Sequence, residues 1–390
     1  MKNINFIRQI KIIFYIFIFI PFLSYAAIDS PVRNIRKLEK PEPESMLKVQ
    51  TAKVMIADYD LIRKDFAYTK KMSEREIDQW LLNSFGFISV YQTLGSNKVN
   101  SEIKTESGQS MVGYRPQMYG RALVMKDSLG QGLVDAKGLG SINPQQKSHQ
   151  NGLLTVGEGL REFLYEKLVE KILIHHRVHF PYEKEYHTVG TYAVLDWGFD
   201  VIHNDSKKSP AGAVLRQAHD RYGDPTSDDY NFLPPQEAST IEKILRRYGV
   251  TSAGVGGREN HFEIADLQGS KSCEIVDFGS FLVKPKFIAE LLFFLDSLQE
   301  YELKPTDPSF PQIDQKISIP LKSWSHAGGP EIHPRNDIPR KYSDQAAIAF
   351  RRGEITQDLL KSQIEHLFFK PVLDKWYGKK WSDKDSLIEF

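Results

Sequence analysis

Asn260 and Asp277 bracket the stretch of this chain best suited to gripping a metal ion. Between them NHFEIADLQGSKSCEIVDFG alternates as a strand from Phe262 to Ile264, turns at Gln268-Gly269-Ser270 and returns as a second strand before Asp277-Phe278-Gly279. An antiparallel return brings the ends of a hairpin side by side, so a side-chain amide and a carboxylate would meet there. Those hard oxygens suit Mg2+, or Mn2+ in its place, with substrate phosphates as the remaining ligands. A bound phosphate also calls for a cation and for a carboxylate that orients it. Lys137 ends a strand before Gly138-Leu139-Gly140, and Glu162 lies one turn into the helix that follows, beside its apolar stripe. On spacing alone that pair reads equally as a solvated lysine and a surface glutamate with Arg161 and Glu166 for company. Asp-Phe-Gly alone is a common tripeptide.

The elements that must position these residues follow from periodicity and caps. Residues 29–48 are charged and proline-bearing and read as an extended tether. Ser73-Glu74-Arg75-Glu76 is a capping box opening a helix with Ile77, Trp80, Leu81 and Phe85 on one face. The polar run from Lys98 to Gln117 reads as a loop. Arg121–Met125 and Gly132–Lys137 flank a turn as a hairpin. Glu158–His176 is the clearest helix, with Leu160, Phe163, Leu164, Leu168 and Ile172 as its stripe. Strands resume at His187–Phe199, Asp205–Asn231 is loop-like, and Gln236–Tyr248 is an amphipathic helix. A long apolar helix is expected from Pro285 to about Tyr301, and amphipathic helices near Ser343–Arg351 and Ile355–Phe369, after a Pro- and Gly-rich run. His175, His176 and His179 close the long helix, where imidazoles suit its negative end better than they suit zinc.

Protein kinases carry their metal ligands in the same order, Asn before the Asp of D-F-G. The order of a small β-rich part with one helix, then a helical part with the metal hairpin, predicts an α+β, protein-kinase-like two-lobed fold. The divisions expected are a signal peptide over 1–26, an extension with one helix over 27–85, a small lobe over 86–195, a large lobe over 196–305, and a linker with C-terminal helices over 306–390. MYGRA, DAKGLG and NGLLTVGEGLREFL, followed by TVGTYAVL and PAGAVLRQAHDRYG, resemble the selenoprotein O family of protein adenylyltransferases, and RNDIPRKYSDQAAIAFRRGEI echoes it more faintly. That resemblance covers most of residues 115–285. It implies that Gly120 and Arg121 belong to the nucleotide loop, that Lys137 holds phosphate with Glu162 orienting it, and that Asn151 and Gly152 contact the nucleotide. It further implies that Arg216 and Arg221 clamp the outer phosphates of an inverted ATP, and that Asn260 and Asp277 hold the metal, with Asp277 also facing ATP.

Departures from the family pattern are equally specific. Met118 stands where the family has the first glycine of G-D-G-R, Asn151 where it has Asp, and Glu259 where it has the base Asp. Val255 occupies the position of an ordinary kinase's catalytic Asp and cannot take a proton. The chain ends Leu387-Ile388-Glu389-Phe390 without the family's Cys or selenocysteine, so redox control through that residue is not expected. The resemblance implies Mg2+-dependent transfer of AMP from ATP to Ser, Thr or Tyr hydroxyls of partner proteins. A kinase passing on the γ-phosphate, and a pseudokinase that only binds nucleotide, remain the alternatives.

With 51 basic and 50 acidic residues among 390, no bulk field points to nucleic acid. Lys2, Arg8 and Lys11 precede the apolar run Ile12–Leu23 and then Ser24-Tyr25-Ala26, the layout of a secretory signal cut near Ala26. That run rises about 18 Å as a helix, short of the roughly 30 Å hydrocarbon core, so no stable membrane insertion is expected after cleavage. The expected location is periplasmic or secreted, with delivery onward to a host cell where ATP is present. Cys273 is the only cysteine, so an exported chain must rely on its core rather than on disulfides.

Overall fold

A computed structural model describes residues 42–90, 103–115, 121–140, 152–181, 184–202, 208–218, 235–252, 262–267, 270–275, 278–283 and 338–374. In chain order the elements are β1 (Glu42–Val49), β2 (Lys53–Ala57), α1 (Tyr59–Asp65), α2 (Glu74–Phe85), β3 (Phe87–Ser89), β4 (Thr105–Arg115), β5 (Ala122–Lys126) and β6 (Leu133–Lys137). Next come β7 (Leu154–Thr155), α3 (Val156–His179), β8 (Tyr186–Thr188), β9 (Thr191–Ile202), β10 (Lys208–Gln217), α4 (Pro235–Arg247) and β11 (Val250–Ser252). The chain continues with β12 (Phe262–Leu267), β13 (Ser270–Ile275), β14 (Phe281–Val283), α5 (Ile338–Arg352), α6 (Gln357–Ile364) and α7 (Lys370–Asp374). The fold is α+β.

Among the described residues nine strands form one sheet in the order β2-β9-β10-β6-β5-β4-β1-β3, with β7 paired to β10. Every pairing in it is antiparallel. β1 and β2 lie at opposite ends of a seven-strand path that would be about 29 Å wide if flat. Residues 50–52 join them, and so short a link spans at most about 14 Å. The sheet is therefore curled, and its two faces are covered by different partners. Inside the curl Met46, Leu123, Met125, Ala136, Leu195, Trp197 and Leu215 pack with Phe66, Trp80 and Phe85 from the α1–α2 region.

The other face meets α3. Lys137, Val214 and Val194 are successive cross-strand partners, so all three share that face. A Cβ on Gly159 would stand 3.1 Å from both Val194 and Val214, so helix and sheet are in close contact there. Thr155 and Glu158 cap the helix reciprocally, which starts it two residues earlier than the apolar stripe alone indicates. The stripe is buried, and so are Tyr165, Val169 and Leu173, because the C-terminal helices cover the side of α3 turned from the sheet. Phe368 packs edge-on against Tyr165, and Arg351 of α5 reaches across to Asp196, to Asp200 and to the Phe199 carbonyl of β9.

Three expected loops are strands instead. The tether expected over 29–48 gives way at Glu42 to β1, whose Glu44 is buried against Arg115. The run 98–117 contains β4, which is polar because Gly108, Gln109 and Ser110 face solvent. Within 205–231, β10 is central and covered on both faces, which removes the alternation that marks a half-buried strand. The extension over 27–85 thus contributes β1, β2 and two helices to the same body, and the division expected at 195/196 falls inside β9. The signal segment, the 285–301 helix and the Pro- and Gly-rich run up to residue 337 lie outside the described residues. Among those described, no helix is long and apolar enough to cross a membrane.

Candidate functional site

Lys137 is the last residue of β6, opposite Ala122 on one side and Val214 on the other. The two-residue period of a strand aims its side chain at α3, where Glu162 stands on the facing turn. Lys137 Nζ and Glu162 Oε1 form an ion pair in which each side chain is 7% exposed. Neither charge is tolerable at such burial without a partner, so the contact fixes how α3 sits over the sheet.

The segment after the expected metal hairpin reaches the same place. Phe278–Ser280 is a single 3-10 turn, with Phe278 packed at 5.1 Å on Phe281, which in turn meets Tyr165 of α3. A Cβ on Gly279 would lie 3.4 Å from Glu162 Oε1 and 3.9 Å from the Arg161 Nη2. The hairpin itself runs in register from Phe262 opposite Ile275 to Leu267 opposite Ser270.

Glycines line the third side. Gly138, Gly140 and Gly152 have φ of 98°, 98° and 67°, the left-handed region that glycine occupies without strain. Gly140 N–H donates to the Gly152 carbonyl at 3.1 Å, and Leu139 bridges Leu153, so the chain at 139–140 meets the chain at 152–153 beside Lys137. Gly138 N–H donates to the Arg121 carbonyl at 2.9 Å. Among the described residues, no hydrogen-bond partner meets the buried Arg121 Nη1. Arg216 lies one cross-strand row from Lys137 on the same sheet face, with its Nε 2.7 Å from Asp135 Oδ2.

The structure thus brings Arg121, Lys137, Gly152, Glu162 and Arg216 to one region of the sheet–helix junction. Gly120, Asn151, Arg221, Glu259, Asn260 and Asp277 lie outside the described residues. Among the described residues, no three His, Cys, Asp or Glu side chains converge as a metal site. His175 and His179 are engaged in helix-end contacts instead: His175 Nδ1 meets the Tyr248 hydroxyl at 2.6 Å, and His179 Nδ1 the His175 carbonyl at 2.9 Å. Burial, with His179 and His176 adjacent, pushes the His175 pKa down. A small cavity of about 50 Å³ between His176, Phe180 and Tyr186 lies at that far end of α3. At 1.5 Å rise per residue it is about 21 Å from Glu162, and so no part of this site.

Two sets of polar residues escaped the sequence reading. Asp135 is one. The other anchors α3: Glu166, read as a surface neighbour, is fully buried and accepts from the Thr188 hydroxyl at 2.7 Å and from Thr191 N–H at 3.0 Å. Lys167 bridges Glu166 at 2.9 Å and Asp58 at 2.6 Å. Burial pushes the Glu166 carboxyl up, only partly opposed by Lys167. For Lys167 burial acts downward, but Glu166 and Asp58 outweigh it and raise the ammonium pKa. For Asp58 burial acts upward, but Lys167 and the Leu61 N–H it caps hold it below the usual carboxylate range. No protein-family model matches the chain, and no curated protein matches it significantly.

Proposed function

We propose that this protein is an exported, ATP-dependent protein adenylyltransferase with a two-lobed, protein-kinase-like fold. The single observation that carries the reading is the buried pair of Lys137 at a strand end with Glu162 on the next helix. A lysine on a sheet strand held by a glutamate of the adjoining helix is what kinase-like enzymes use to fix nucleotide phosphates. The turn that follows Asp277 abuts Glu162, which is where such a reading needs the metal hairpin to end. In this reading β4, β5, β6, β10 and β9 with α3 make the small lobe, and α4 with the hairpin opens the large one.

Within the site Lys137 would neutralise phosphate oxygens while Glu162 keeps its ammonium aimed. Arg216 and Arg221 would meet the outer phosphates, and Arg121 with Gly120 would belong to the nucleotide loop. Glu259 would take the proton of the acceptor hydroxyl as it attacks the α-phosphorus, and pyrophosphate would leave. Asn260 and Asp277 would hold Mg2+, or Mn2+, which supplies charge stabilisation at the reacting phosphate. AMP transfer is preferred to phosphoryl transfer because Val255 stands at the kinase base position and because the arginines follow the apolar GAVL run as in the family resembled.

Incubation of the full chain and a proteome extract with α-labelled and, separately, γ-labelled ATP tests this. Protein label from the α position alone is expected. Label only from the γ position identifies a kinase. No label, with ATP still raising the melting temperature, identifies a nucleotide-binding pseudokinase.

A further inference from the structure

On the sheet face that meets α3, Val124, Val194 and Val214 are all buried. Charged side chains stand among them: Lys137 and Asp135, two residues apart on β6 and therefore on the same face, and Arg216 of β10 opposite Asp135. Lys137 is matched by Glu162 from the helix, and Asp135 by Arg216 from the neighbouring strand, directly opposite in register. The Arg216 and Asp135 side chains are 6% and 1% exposed. A buried ion pair is on balance no more stabilising than apolar residues of the same volume, and valines fill the adjoining sites. Stability therefore does not explain why this row is charged.

The geometry offers another reason. A guanidinium presents its five N–H groups in a rigid plane, so a carboxylate fixed on the Nε edge sets the heading of the whole fork. Asp135 is buried within the sheet and accepts from that edge at 2.7 Å. The rows bearing Arg216 and Lys137 are about 7 Å apart along the strand, within reach of one polyphosphate chain.

We propose that Asp135 is a positioning residue that locks the Arg216 guanidinium toward the outer phosphates of the nucleotide. This rests on the nucleotide reading given above. Asp135 itself touches no substrate. What it supplies is orientation, so an uncharged acceptor of the same shape does the work, whereas an apolar residue or a lysine at position 216 does not.

Calorimetric titration of the full chain with ATP and with AMP, both with Mg2+, tests this on Asp135→Asn, Asp135→Leu and Arg216→Lys. Asp135→Asn is expected within about twofold of wild type for both ligands. Asp135→Leu and Arg216→Lys are expected to bind ATP about ten- to a hundredfold more weakly, the worth of one charge-assisted hydrogen bond, with AMP changed less than about twofold. Equal losses for ATP and AMP, or no loss in Asp135→Leu, would overturn the proposal. So would tighter ATP binding by both Asp135 variants, which would make the carboxylate merely a neutralising charge. If Asp135→Leu does not fold, Asp135→Ala takes its place under the same criteria. Wild-type protein that binds neither nucleotide removes the nucleotide reading itself, and this inference with it; loss of selectivity in the variants' pattern alone removes only the role of Asp135.

Discussion

Replacing Glu162 with alanine tests the contact on which the functional reading stands. The change deletes the carboxylate paired with Lys137 while the lysine stays at 6% exposure between sheet and helix. Breaking a buried ion pair by removing one partner costs about 3–5 kcal/mol, because the remaining charge keeps its desolvation penalty. An unfolding entropy of about 2.1 cal/mol/K per residue gives roughly 0.8 kcal/mol/K for 390 residues, so the melting temperature should fall by about 4–6 °C. Differential scanning calorimetry at neutral pH reads this directly. The double variant Lys137→Met with Glu162→Leu restores an apolar contact of similar volume and should melt within about 1–2 °C of wild type, since such replacements are close to neutral. It should nevertheless transfer no label from ATP. A Glu162→Ala protein as stable as wild type would refute the buried pairing. A double variant that transfers label at the wild-type rate would leave the pairing intact but remove Lys137 from the chemistry.

Two further outcomes follow from the packing of α3. In Gly157→Ala the new methyl would stand 2.1 Å from Asp344 Oδ1 and 3.1 Å from the Asp344 Cα of α5, so a loss of about 1–3 kcal/mol is expected in a thermal melt. Alanine in place of glycine within a helix otherwise gains about 1 kcal/mol, so a stabilised variant would refute the close approach of α3 and α5. Asp58→Asn keeps an N-cap acceptor for Leu61 but removes the charge facing Lys167. Because the folded-state pKa of Asp58 is depressed, its contribution is present above the unfolded value near 3.9 and lost as pH falls through the folded one. The stability advantage of wild type over Asp58→Asn should thus be constant near neutrality and shrink below about pH 4 in pH-dependent melts. An advantage unchanged down to pH 2 would show that the Asp58 charge is not engaged.

What could be read from the sequence, and what could not, divides by how local the cause is. Ser73 with Glu76 announces α2 within four residues, and the hairpins around 127–131 and 268–269 declare themselves by their turns. β10 hid behind KSPAGAVLRQ, because a strand covered on both faces has no polar alternate positions to betray it. β4 hid for the opposite reason, with so many exposed positions that no apolar ones mark a face. The ion pairs are harder still: Asp135 and Arg216 are 81 residues apart, and Arg351 and Asp196 are 155 apart. Their meeting depends on strand order and register, which no local window contains. One signal was nevertheless present. Asp135 and Lys137 must share a face of β6, and the flanking Val134 and Ala136 face the core on the other side. Two opposite charges spaced by two on a strand this deeply placed, with an apolar helix coming next in the chain, cannot both look to solvent. Each requires a counter-charge brought from elsewhere, and that requirement was legible before either partner was known.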